Sequence, residues 1–157
     1  SKLGNHKYLS LRGCHKITHI NNLEKVNTLD LSYCENILDI SYLTNVYNLD
    51  VSYCPKIKIN KPINTVIFTG ISINILNRDI NFLKNVKKLN IRNCYWIKDL
   101  SELNNIEILD IRSCKNIKKL PNKNTLKNIN ISKELYNNTA IFNQINYVED
   151  INIDYFH

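Results

Sequence analysis

Apolar residues recur along this chain in two alternating rhythms. Around the second cysteine they fall at Leu29, Leu31, Cys34, Ile37, Ile40, Leu43 and Val46, and Leu49 opens the next unit. The same frame runs through Leu9, Leu11, Cys14, Ile17, Ile20, Leu23 and Val26 one unit earlier. It returns at Leu89, Ile91, Cys94, Ile97, Leu100, Leu103 and Ile106, and again at Leu109, Ile111, Cys114, Ile117 and Leu120. The opening Leu-x-Leu alternates with period two, which predicts a short strand with one buried face. From the cysteine onward the step is three residues. An α-helix needs apolar positions at i, i+3, i+4 and i+7. A strict step of three suits 3₁₀ turns or extended segments instead. Each unit is therefore expected to be a strand followed by a tight, mostly non-α return.

The cysteines at 14, 34, 54, 94 and 114 are spaced by 20, 20, 40 and 20 residues. Disulfide frameworks and metal sites do not recur at one interval, whereas an internal repeat does, and a period of this length predicts a solenoid. Expected strands lie at 9–11, 29–31, 49–51, 66–68, 89–91, 109–111, 129–131 and 151–153. Eight strands at about 4.8 Å make a stack about 35 Å long. Two units are irregular. Val66-x-Phe68-x-x-Ile71 predicts a step of 17 residues from the third strand, with Ile71 in the cysteine slot and 23 residues from there to Cys94. The extra residues, within 74–86, have room for one or two helical turns.

The segments TLDLSYC, NLDVSYC, KLNIRNC and ILDIRSC resemble the leucine-rich repeat, L-x-x-L-x-L-x-x-N/C-x-L. The resemblance covers nearly the whole chain. It implies an α/β solenoid: a right-handed superhelix with a parallel, concave β-sheet of about eight short strands and 3₁₀ or extended returns. The C-x-x-I variant is also similar to the cysteine-containing repeats of ubiquitin-ligase substrate adaptors. Those repeats are longer, with an α-helix in each return.

The repeat fills residues 1–157 as a single domain. Leu3 already sits in the Leu23 slot, so the chain begins in mid-repeat, as expected of one that has lost an N-terminal segment. No apolar run reaches 18 residues, so no membrane span is expected. The start has no apolar signal-peptide region. The bias toward Asn, Ile and Lys is similar to that of proteins from AT-rich genomes, such as amoebal large DNA viruses. Cysteine behaves as a small buried hydrophobe, and stacked thiols pointing inward have poor disulfide geometry. Five unpaired cysteines predict a reducing, intracellular and cytoplasmic setting. The sequons at Asn130 and Asn137 are what chance supplies in so Asn-rich a chain.

Charge is uneven. Residues 1–53 carry five Lys/Arg and five Asp/Glu; residues 54–133 carry sixteen and five; residues 134–157 carry none and four. The net charges of 0, +11 and −4 sum to +7. The basic middle either meets an acidic partner surface or is a set of solvated lysines on the returns.

In leucine-rich repeats the strand residues that face the concave side are solvent-exposed contact positions. Carried onto this chain, they are Asp30, Asp50, Asn90 and Asp110 in the middle of the strands, Arg92 and Arg112 just after them, and Tyr33 and Tyr53 next. Trp96 stands at the slot of Asn36 and Asn116 and is expected on the exposed rim near Arg92. Tyr and Arg are enriched at interface hot spots, as is Trp. Each also has a structural alternative: the tyrosines can stabilise each other, the arginines can pair within the chain, and Trp96 can fold over the core. No Gly-rich phosphate loop, G-x-S-x-G or H-E-x-x-H occurs, so no catalysis, cofactor or metal is expected.

The resemblance thus implies a non-enzymatic protein–protein interaction module that binds a protein partner through its concave face. Two alternatives stay open: the substrate-recognition arm of a ubiquitin-ligase adaptor, and nucleic-acid binding through the basic 54–133 segment, which would show a steep salt dependence. The chain is expected as a monomer, or as an end-to-end oligomer if its ends lack polar caps.

Overall fold

The computed structural model describes residues 7–59, 61–73 and 79–155. Within them eight strands form one sheet: β1 (Tyr8–Ser10), β2 (Thr28–Asp30), β3 (Asn48–Asp50), β4 (Ile67–Thr69), β5 (Lys88–Asn90), β6 (Ile108–Asp110), β7 (Asn128–Ser132) and β8 (Asp150–Asp154). Each pairs in parallel with the next in chain order. The described residues form a parallel β-solenoid, with one coil per strand. The expected start in mid-repeat at Leu3, and His6, Phe156 and His157, lie outside the described residues.

The period-two motif does what it predicts. Leu29 and Leu31, Leu49 and Val51, Leu89 and Ile91, and Leu109 and Ile111 are all buried, with the polar middle residue between them on the other face of the sheet. Most strands begin one residue earlier than expected, because the residue before the first leucine already joins the ladder, as Thr28 does with Asn48.

The period-three motif is a chain of tight turns. The Cys14 N–H donates to Leu11 O, Ile17 to Cys14, Leu23 to Ile20 and Val26 to Leu23, at 3.0–3.1 Å. Four of the apolar residues in this coil thus close a turn on the apolar residue three before them. That satisfies backbone groups while all of these side chains point to one core. The returns carry almost no α-helix up to residue 132.

The cysteines form a ladder inside this core. The thiols of Cys34, Cys54, Cys94 and Cys114 donate to the carbonyls of Leu11, Leu31, Gly70 and Ile91 at 3.1, 3.1, 3.2 and 2.9 Å, each reaching the preceding coil. All four are fully buried, and no cysteine is paired in a disulfide. Burial pushes the thiols of Cys54 and Cys94 up to about 12 and that of Cys114 up to about 11. Thiolate is the reactive form. Only Cys14, at the open end of the ladder and partly exposed, is expected to react with a thiol reagent in the native state. The measurement is a count of labelled thiols before and after denaturation. Rapid native labelling of two or more would contradict the ladder.

The fourth coil corrects the expected register. Phe68 pairs with Leu49 and Leu89, so it occupies the first leucine slot, not the second. The steps are 19 residues from Leu49 and 21 to Leu89, in place of 17 and 23. Gly70 takes the second slot, and Ile73, not Ile71, takes the cysteine slot, buried to 3%. The physical reason is volume exchange. A Cβ built on Gly70 lies 2.7 Å from Phe68 Cε1, so the phenyl ring already fills the space of the missing side chain. Phe68 also meets Phe82 edge-on, with centroids 5.7 Å apart. Of the helical turns expected within 74–86, one 3₁₀ turn spans Asn81–Leu83; residues 74–78 lie outside the described residues.

The last return departs from the others. It holds two short helices, α1 (Lys133–Tyr136) and α2 (Thr139–Ile145). The Asn138 side chain caps α2 by accepting from the Ala140 and Ile141 N–H groups. Leu135, Ile141, Ile145 and Val148 bury against the seventh coil.

Candidate functional site

In four coils the polar residue between the two buried apolar positions first serves its own backbone. The Asp30 Oδ1 accepts from the Ser32 N–H at 2.9 Å, Asp50 from Ser52 at 2.8 Å, Asn90 from Arg92 at 3.3 Å and Asp110 from Arg112 at 3.2 Å. This is the local turn for which short carboxylate and amide side chains are suited. It ends each strand and leads into a residue of positive φ: Tyr33 (62°), Tyr53 (58°), Ser72 (54°), Asn93 (61°) and Ser113 (62°), with Gly13 (67°) in the first coil. The same device recurs on the returns, where Asp39 accepts from Ser41 and Asp99 from Ser101.

Several positions expected to be exposed are not. Ser32 and Ser52 are buried. The Ser32 hydroxyl donates to Asp30 at 2.6 Å and accepts from Arg12 at 3.0 Å, and that of Ser52 accepts from the Ile71 N–H. Asp110 is only 7% exposed. Burial pushes the Asp30 carboxyl up, but hydrogen bonds from Ser32 and Ser10, with Arg12 nearby, outweigh it and hold the group below its ordinary value.

Arg92 and Arg112 occupy equivalent places and behave differently. The Arg112 Nε and Nη2 donate to the two oxygens of Asp110 at 2.9 and 2.5 Å, and its Nη1 lies 3.8 Å from Asp154. The bond to Asp110 raises the guanidinium above its ordinary value, against the opposing effect of burial. Arg112 is therefore neutralised within the chain. Arg92 has Asn90 where Arg112 has Asp110. Among the described residues no carboxylate pairs with it, and its Nε is buried without a hydrogen-bond partner.

Tyr33 and Tyr53 stack with ring centroids 4.5 Å apart and an interplanar angle of 19°. The Arg12 guanidinium lies over Tyr33 at 4.5 Å. Both tyrosines remain 39% exposed.

Trp96 is not an exposed rim residue beside Arg92. It is partly buried against the core, and its Nε1–H donates to Ile73 O at 2.8 Å. Asn36 and Asn116 use the same slot in the same way, donating to His15 O and Tyr95 O. Trp96 borders a surface cavity of about 370 Å³ with Asp79, Ile80, Lys98, Asp99 and Glu102, on the return side of the coil. The slot is an inter-coil strut, and its sister asparagines were the signal for that in the sequence.

The basic middle segment is partly neutralised. Lys87 and Lys127 flank Glu107 at 3.0 and 3.7 Å, Lys119 pairs with Asp99 at 2.9 Å, and Lys115 with Glu134 at 3.7 Å. Among the described residues no group of His, Cys, Asp and Glu is placed to hold a metal ion, and no helix is long and apolar enough to cross a membrane.

No family model matches the chain, and no curated protein matches it. Among solved structures the chain is similar to an internalin (inlF) from Listeria monocytogenes, at 17% identity and a TM-score of 0.41 over 90% of this chain. The chain spans 61% of that internalin.

Proposed function

We propose that the chain is a non-enzymatic protein-binding module that takes its partner on the concave sheet, with Arg92 as the anchor for a partner carboxylate. One observation carries this reading. The two sister arginines, Arg12 and Arg112, have their guanidinium groups engaged within the chain. Among the described residues Arg92 has no paired carboxylate and stands beside a neutral asparagine. A half-buried guanidinium with an unsatisfied Nε gains from an anionic oxygen, because charge-assisted bonds are strongest away from bulk water. A solenoid with one continuous sheet offers an extended open surface, which suits the binding of a partner.

The test is affinity capture of a partner from cell lysate at physiological salt, followed by measurement of its Kd. The wild type is compared with Arg92→Gln and with Lys61→Gln, an exposed control, and a parallel sample is treated with nuclease. Arg92→Gln is expected to weaken the partner about ten-fold or more, as loss of a charged anchor does, while Lys61→Gln leaves it unchanged. Capture that survives Arg92→Gln, or that nuclease abolishes, would overturn the reading.

A further inference from the structure

We propose that the second and third coils bind an arginine side chain of the partner, stacked on the open face of Tyr53. This rests on the concave-face reading above and assigns the opposite chemistry to its N-terminal half.

The chain itself displays the interaction once. Arg12 covers one face of Tyr33, and Tyr53 covers the other. The residue that precedes Tyr33 in its column is Gly13, which has no side chain to lie over the ring. At the other end the column continues with Ser72, whose side chain is too small to cover a phenol ring. The place equivalent to Arg12 is taken by Ile71. Among the described residues no cation and no further ring lies over Tyr53. Among the described residues the stack has a guanidinium at one end and neither a cation nor a ring at the other. The same column repeats the chemistry at the end of the solenoid, where Lys133 lies 5.4 Å over Tyr155.

The backbone points the same way. Tyr33 and Tyr53 adopt left-handed φ values, which bulky residues enter only at a cost. Gly13 shows that glycine serves the turn without that cost. Two tyrosines held in a strained conformation and left 39% exposed are a mark of a contact position.

Charge supplies the complement. Residues 26–55 contain four acids, Asp30, Glu35, Asp39 and Asp50, and no Lys or Arg, so this belt carries −4 inside a chain of net charge +7. Asp50 accepts from Ser52, and among the described residues no cation pairs with it. An electron-rich ring face in the same coil as the Asp50 carboxylate favours a planar cation, and guanidinium stacks on such faces better than ammonium.

The experiment is an NMR titration of the isolated chain with capped nine-residue peptides of Gly and Ser that carry three arginines, three lysines or three glutamates. The arginine peptide is expected to shift the amides of Asp50, Tyr53 and Ser72. It should bind about five-fold tighter than the lysine peptide, the size of one exposed cation–aromatic contact. Tyr53→Leu should erase that preference while leaving the fold intact, and Asp50→Asn should weaken both basic peptides. Equal affinity for arginine and lysine, a preference that survives Tyr53→Leu, or no binding would each overturn the proposal. Lys61→Gln is expected to leave arginine-peptide affinity unchanged. Because the titration needs no natural partner, its failure leaves the Arg92 test standing, and failure of the Arg92 test leaves this one standing.

Discussion

Replacing Gly70 by valine is expected to destabilise the protein by about 1–3 kcal/mol, the usual cost of overpacking a core. The substitution is conservative by the logic of the repeat, since Val51 fills the same slot one coil earlier. It fails because Phe68 has already taken the volume, with its Cε1 2.7 Å from where the new Cβ would sit. Phe68→Leu alone should also destabilise, by opening a cavity and losing the edge contact with Phe82. The double variant restores the Leu-x-Val pairing of the third coil and should recover most of the loss. Urea midpoints of the four proteins give the coupling. A favourable coupling of about 1 kcal/mol or more is expected, and simple additivity would contradict the exchange of volume between the two residues.

A second large effect is expected at Asp110. Its carboxylate accepts the backbone N–H, the Nε and the Nη2 of Arg112. Asp110→Ala leaves that guanidinium, only 29% exposed, with Asp154 at 3.8 Å. Stranding a partly buried charge and opening the strand-end turn together should cost about 2–4 kcal/mol. Asp110→Asn keeps an acceptor for the turn, as Asn90 does beside Arg92, and should cost clearly less. Equal losses for the two variants would mean that the ion pair, and not the turn, holds this coil.

The parts of the fold that were legible in the sequence are those where one physical rule acts alone. Period two marks a face of a strand, and period three marks the corners of the return, where many of the apolar residues close a turn on the one before them. The fourth coil was misread because Val66, Phe68 and Ile71 copy the spacing of the motif, while the slots that matter hold Thr65 and Gly70. Neither residue announces a core position; only the partnership with Phe68 does. The helices α1 and α2 were missed for lack of a long pattern, although Asn138 before Ile141 and Ile145 is a cap followed by a spacing of four.

At the concave face the sequence pointed to the columns and not to their internal satisfaction. Asp-x-Ser recurs at 30–32, 39–41, 50–52 and 99–101, which is the written form of the strand-end and return turns. Taken as such, it would have shown that the acidic column is spent first on its own backbone. The difference between Arg92 and Arg112 was legible as well, in the single change from Asp110 to Asn90.

In this sheet each strand touches only its neighbours in sequence. The solenoid is therefore a linear series of links, each coil held by the coils beside it. Pulled by its two ends, such a chain yields from a free end inward and hands out its length in instalments. One coil of 20 residues releases about 70 Å of extended chain, while the remaining coils stay closed. A partner seated across several strands would bear on all of those links at once, and so would decide how much tension the first of them can hold.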